Sequence, residues 1–89
     1  MSAFTEAEID YLNGQLLARI ATASASGVPD VAAVGFGLDG DEVVTGGFDI
    51  TKTVRYSNLL ANRRASIVID DLASVDPWSP RGVKVRGRV

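Results

Sequence analysis

Three short β-type segments stand nearly end to end early in this chain, joined by connections too tight to carry a crossover. Residues 17–23 read as a first strand, closed by Ser24-Ala25-Ser26-Gly27. Residues 30–38 read as a second, with Pro29 at its start, where a missing N–H is tolerated. Residues 42–46 or 42–47 read as a third, reached through the turn Asp39-Gly40-Asp41. Parallel neighbours need a connection of a dozen or more residues, so this spacing dictates an antiparallel meander. Later, 65–70 holds the β-branched run Ile67-Val68-Ile69, expected in a central strand covered on both faces. Residues 82–89 set Val83, Val85 and Val89 against Lys84, Arg86 and Arg88, giving one dry face and one wet face. The stretch 71–80, with Pro77, Trp78 and Pro80, is expected to be irregular. The pattern is still running at Val89, so this strand is expected to be an open edge, covered by a partner or belonging to a longer fold.

Two helices are expected around this β framework. Thr5 and Glu8 have the spacing of a capping box, and Phe4 and Ile9 that of a hydrophobic staple. The helix covers about 6–13, stops at Asn13-Gly14, and presents Ile9, Leu12 and Leu16 on one face. A second helix is expected over 51–62, with Val54, Leu59, Leu60 and Ala61 as its apolar face and Arg63-Arg64 in its last turn.

The 89 residues make one small domain with a modest core, since a chain of this size buries only about 60% of its unfolded surface and oligomerisation is a common remedy. The net charge of −2 argues against a general nucleic-acid or anionic-membrane binder. Its distribution is uneven: 1–50 hold eight acids and one base, whereas 51–89 hold three acids and eight bases. The absence of cysteine and histidine removes disulfides, thiolate or imidazole metal ligands, Cys nucleophiles and Ser-His-Asp triads. No apolar run approaches the roughly 20 residues that span a bilayer, so a cytoplasmic protein is the expectation.

The stretch 46–58 is the strongest functional candidate. It runs from the glycines Gly46 and Gly47 into a helix start carrying Thr51, Lys52, Thr53 and Arg55. On a helix Lys52 and Arg55 share a face, and cations in a first turn oppose the helix dipole unless an anion offsets them. Backbone N–H groups, two cations and two hydroxyls make a phosphate seat; the plainer reading is an N-cap followed by a solvated basic turn.

Other motifs carry less. Gly35-Phe36-Gly37-Leu38-Asp39-Gly40 spells G-x-G-x-x-G, but Asp41-Glu42-Val43-Val44 turns and extends where a dinucleotide site needs a helix. Gly35 and Gly37 are better read as relieving crowding in a curved strand or allowing close backbone approach. Asp70 and Asp71 would point to opposite faces of a strand, so turn capping is preferred to metal binding. Arg81, Lys84, Arg86 and Arg88 read as a solvated face, and Trp78 as a core plug or dimer contact.

Taken in order, Leu17-Ala18-Arg19-Ile20-Ala21-Thr22, Gly27-Val28-Pro29-Asp30-Val31, Thr51-Lys52-Thr53-Val54-Arg55-Tyr56-Ser57-Asn58-Leu59, Asn62-Arg63-Arg64-Ala65-Ser66-Ile67-Val68-Ile69-Asp70-Asp71 and Asp76-Pro77-Trp78-Ser79-Pro80-Arg81-Gly82-Val83-Lys84-Val85-Arg86-Gly87 resemble the pyridoxamine 5′-phosphate oxidase-like family, closest to its actinobacterial branch using the deazaflavin coenzyme F420. The resemblance implies a mainly β fold, a six-stranded antiparallel FMN-binding split barrel with flanking helices. It implies a homodimer with coenzyme F420, or alternatively FMN, at the interface. By the same likeness Lys52 and Arg55, assisted by Thr51 and Thr53, bind the cofactor phosphate. Ala33, Val34 and Gly35, with Thr45, Gly46 and Gly47, line its ring. Arg63, Arg64 and Arg81 are candidates for an anionic tail if the fold brings them close. The implied activity is hydride transfer between cofactor and a small-molecule substrate, with the cofactor and not a side chain carrying the chemistry. The alternatives are a non-catalytic carrier of the same fold and a structural dimerisation module. Family members continue with another strand and a C-terminal helix, so a single shortened barrel domain is expected over 1–89.

Overall fold

A computed structural model describes residues 4–46 and 50–89. Among the described residues five strands, and not six, form a sheet of order β3-β2-β1-β4-β5: β1 (Leu17–Ala23), β2 (Pro29–Asp39), β3 (Glu42–Thr45), β4 (Arg64–Ser74) and β5 (Ser79–Arg88). Every neighbouring pair is antiparallel. The helices are α1 (Glu6–Asn13) and α2 (Val54–Ala61), and a 3-10 turn at Ile50–Lys52 precedes α2. The outermost strands approach one another across the interior, since Val43 and Thr45 of β3 line the same cavity as Val85 and Gly87 of β5. The sheet is therefore curled into a half-barrel.

Register decides which residues face the inside. Ile20 on β1 lies between Ala32 on β2 and Ile67 on β4, and Ile67 in turn opposes Val85 on β5. The period of two then sends Ala18, Ile20 and Thr22 inward with Val34 and Ile69, while Arg19, Ala21 and Ala23 face outward. Leu12 of α1 completes the buried core of Leu12, Ala18, Ile20, Val34 and Ile69.

The capping box of α1 forms as the spacing predicts. Thr5 Oγ1 accepts from the Glu8 N–H at 3.2 Å, and Glu8 Oε1 accepts from the Thr5 N–H at 2.8 Å. Phe4 and Tyr11 pack against the core. The helix ends at Asn13, so Leu16 falls outside the helical period and is 84% exposed instead of sharing the face of Leu12.

The larger departures lie in the second half. Residues 71–74 and 79–80 are not irregular, because β4 and β5 form one long hairpin pairing Asp71 with Arg81, Leu72 with Pro80 and Ser74 with Ser79. Trp78 sits in the turn of this hairpin and is 67% exposed, so it plugs no core; the neighbouring Asp76–Pro77 peptide is cis. Arg63 and Arg64 are not in the last turn of α2, which ends at Ala61; Arg64 opens β4. Asp70 and Asp71 do point to opposite faces, but each is held by an arginine and neither caps a turn. The Gly35-to-Gly40 motif runs along β2 into a hairpin, with Gly40 at φ 60°, and opens no helix. Nor is its backbone crowded, since a Cβ built on Gly35 or Gly37 would meet nothing within 4 Å.

Candidate functional site

The segment entering α2 is pinned from inside. Asn58, buried on α2, donates through Nδ2 to Thr22 Oγ1 of β1 at 3.0 Å. The helix start is set by Thr53, whose extended backbone (φ −86°, ψ 151°) makes it the N-cap and whose Oγ1 accepts from the Tyr56 N–H at 3.2 Å. A hydroxyl competing for the backbone is what breaks the chain here. The helix thus begins three residues later than the sequence suggests, and Lys52 and Arg55 do not share one helical face. Lys52 closes the 3-10 turn, whereas Arg55 is in the first turn of α2.

Arg55 is half-buried and its guanidinium Nη2 donates to the carbonyl of Gly46 at 3.4 Å, a long bond. That contact joins the helix start to an open groove of about 670 Å³ between β2 and β3, lined among others by Gly35, Gly37, Val44, Thr45 and Gly46. A Cβ on Gly35, Gly37 or Gly46 would meet nothing within 4 Å, so backbone stands exposed along the groove with open space before it. The structure therefore gathers Gly35, Thr45, Gly46 and Arg55. Val34 is 5% exposed and points into the core, leaving only its backbone for a ligand. Ala33 is exposed on the outer face, Thr51 and Lys52 are exposed, and Gly47 lies outside the described residues.

Two further cavities flank the sheet. One, of about 360 Å³, occupies the concave interior between Tyr56, Leu59 and Arg63 on one side and Ile20, Ile67 and Val85 on the other. The second, of about 560 Å³, is walled by Arg64, Arg86 and Arg88. Reading Arg86 and Arg88 as a solvated strand face missed this groove. Counting back through a hairpin would have paired Arg64 with Arg88, but the turn region 71–80 hid the hairpin. Arg81 is not part of that cluster. It pairs with Asp71, seven positions along β4 from Arg64, about 23 Å at ~3.3 Å per residue.

Arg81 belongs instead to a polar knot that the sequence did not announce. Its Nη2 and Nε reach Asp71 at 2.5 and 3.0 Å, the Tyr11 hydroxyl donates to Asp71 Oδ1 at 2.9 Å, and the guanidinium lies 5.3 Å from the Tyr11 ring centroid. The Arg81 hydrogen bonds, with help from Tyr11, hold the Asp71 carboxyl below its ordinary value. Desolvation, and next the hydrogen bond to Asp71, push the Tyr11 phenol up. The knot ties α1 to the β4–β5 hairpin.

Residues 4–89 match the family model described as pyridoxamine 5′-phosphate oxidase. The chain is 34% identical over 86 residues to a 5a,11a-dehydrotetracycline/5a,11a-dehydrooxytetracycline reductase of Streptomyces rimosus, covering 94% of this chain and 61% of the relative. The crystal structure of a conserved hypothetical protein from Mycobacterium tuberculosis superposes with a TM-score of 0.77 at 25% identity, over 98% of this chain and 52% of that one. The chain thus spans less than two thirds of the length of both proteins. The superposition identifies the curled sheet as a split-barrel fold.

Proposed function

Because the chain belongs to the pyridoxamine 5′-phosphate oxidase family, we propose that it binds a flavin-type cofactor and serves hydride transfer between that cofactor and a small molecule. Coenzyme F420 is the first choice and FMN the alternative. The relative from Streptomyces rimosus is a reductase, which favours the reductive direction. The observation that carries the reading is the contact of Arg55 with Gly46. It sets a cation beside a glycine-lined groove of about 670 Å³, so that one ligand could place a phosphate at the helix start and its ring along β2 and β3.

In this arrangement Lys52 and Arg55 supply charge. Thr51 and Thr53 assist with their hydroxyls. Gly35 and Gly46 keep the ring's path clear of side chains, and Gly47, which lies outside the described residues, is assigned to the ring by the sequence resemblance alone. Val34 and Ala33 contribute backbone. A second copy of the chain would cover the outer face of the groove as a homodimer. The bound cofactor supplies the hydride chemistry, for which no histidine or cysteine is needed.

Fluorescence titration with FMN and with coenzyme F420 tests this. Each charged phosphate contact contributes about 1.5–3 kcal/mol, so Lys52→Ala with Arg55→Ala should weaken binding at least about a hundredfold. Unchanged affinity in the double variant would sink the phosphate seat. Oxidation of the pre-reduced cofactor by candidate substrates then separates an enzyme from a carrier.

A further inference from the structure

We propose that the groove walled by Arg64, Arg86 and Arg88 is a separate anion-binding site, for a small molecule bearing a phosphate group or two neighbouring carboxylates. None of Thr51, Lys52, Thr53 or Arg55 lines it, and the proposal does not rest on the cofactor reading.

The site follows from register. Arg64 opposes Arg88 and Ser66 opposes Arg86 across β4 and β5, while Ala21 of β1 opposes Ser66. Alternation puts these side chains on the outer face of the sheet. Opposed Cα atoms are about 4.5–5.5 Å apart, and Arg86 and Arg88 about 6.5–7 Å, so three guanidinium forks rise from a very small area. The floor between them is Ala21, Ala23 and Ser66, residues too small to fill the space. The resulting volume of about 560 Å³ lies within the range of small-molecule pockets, roughly 300–1,000 Å³.

Charge turns this shape into a site. Like charges directly opposed on a strand pair are destabilising. Elsewhere on the same sheet the chain answers its arginines with carboxylates, Arg19 with Asp70 at 2.6 Å on this same outer face and Arg81 with Asp71 at 2.5 Å on the opposite face. The guanidinium groups of Arg64, Arg86 and Arg88 have no ion-pair or hydrogen-bond partner among the described residues, and no carboxylate lines their groove. A bound anion is the missing counter-charge, and the planar guanidinium matches phosphate and carboxylate oxygens two at a time.

Calorimetric titration of the full chain with pyrophosphate and with citrate, at low and at physiological salt, provides the test. At least one should saturate at one ligand per chain, with affinity falling as salt rises, and the preferred ligand tells phosphate from carboxylate chemistry. Arg86→Ala and Arg88→Ala should each weaken it about tenfold or more. Arg86→Lys, which keeps the charge and the fold but loses the fork, should weaken it several-fold. Lys84→Ala, on the same face but outside the groove, should change it little. Failure of both probes to saturate would overturn the site. So would an equal loss in Lys84→Ala and Arg86→Ala, which would mean diffuse attraction to a basic face.

Discussion

Asn58 of α2 hydrogen-bonds Thr22 of β1 across the interior, Nδ2 to Oγ1 at 3.0 Å, and both residues are almost fully shut off from water. A buried amide and a buried hydroxyl are tolerable only as partners, so the bond fixes where the helix lies on the sheet. Since α2 carries Arg55, the same bond governs where that cation meets the carbonyl of Gly46.

Asn58→Ala should destabilise the protein by about 1–3 kcal/mol, because it leaves the Thr22 hydroxyl buried without its donor. Thr22→Val should cost a similar amount by orphaning the Asn58 amide. Urea unfolding of both singles and the double variant checks this, and the double should cost clearly less than the sum. Additive losses would show that the two side chains do not depend on one another.

The polar knot predicts a loss of stability in acid. The native Asp71 carboxyl titrates below its unfolded value of 3.8, so its contribution is present above that pH and fades as pH falls through the lower native value. Tyr11 is raised above 10.0, so its contribution is complete below that pH and is lost as pH rises through the native value. Asp71→Asn should therefore flatten the acid limb of a stability–pH profile and bring the Tyr11 titration, followed by ultraviolet absorbance, back toward 10.0. An unchanged acid limb would assign the acid sensitivity to other carboxylates.

Two glycines should answer substitution in opposite ways. A Cβ on Gly82 would stand 3.2 Å from both the Asp70 Cβ and the Ile69 carbonyl oxygen, and the Arg19 ion pair holds Asp70 in place. Gly82→Ala should cost about 1–3 kcal/mol as overpacking. Gly35→Leu, where nothing stands within 4 Å of the new Cβ, should leave thermal stability nearly unchanged while its side chain fills the groove and abolishes cofactor binding. Full cofactor affinity in Gly35→Leu would remove the β2–β3 groove from the proposed ring path.

Where local chemistry decides the outcome, the structure was legible in the letters. Thr5 and Glu8 place the start of α1 because a capping box needs only four consecutive residues. The turns at Gly27 (φ 87°) and Gly40 sit where glycines were needed. What escaped depends on pairing between distant residues. Leu72, Ser74, Ser79 and Pro80 become strand only because each finds a partner across the hairpin, and that same register creates the arginine groove. At Thr51 and Thr53 two equivalent hydroxyls competed for one cap. The winner, Thr53, moved the helix start and separated Lys52 from Arg55. Leu16 carried the right letter for an apolar stripe, but the helix had already ended.

The strand order has a consequence for assembly. β1, first of the strands along the chain, is the middle of the finished sheet, and residues 19–21 alone pair with 66–68 of β4. The meander β1-β2-β3 and the hairpin β4-β5 are each closed by short loops, whereas the seam between them joins residues more than 40 positions apart. Loop-closure entropy makes such a seam late to form. Each half can zip up on its own before the seam closes, and α2 lies between them in sequence with Asn58 reaching to β1. Ordering of the segment around Arg55 is then tied to the last docking event, so the candidate site would be completed only as the two halves meet.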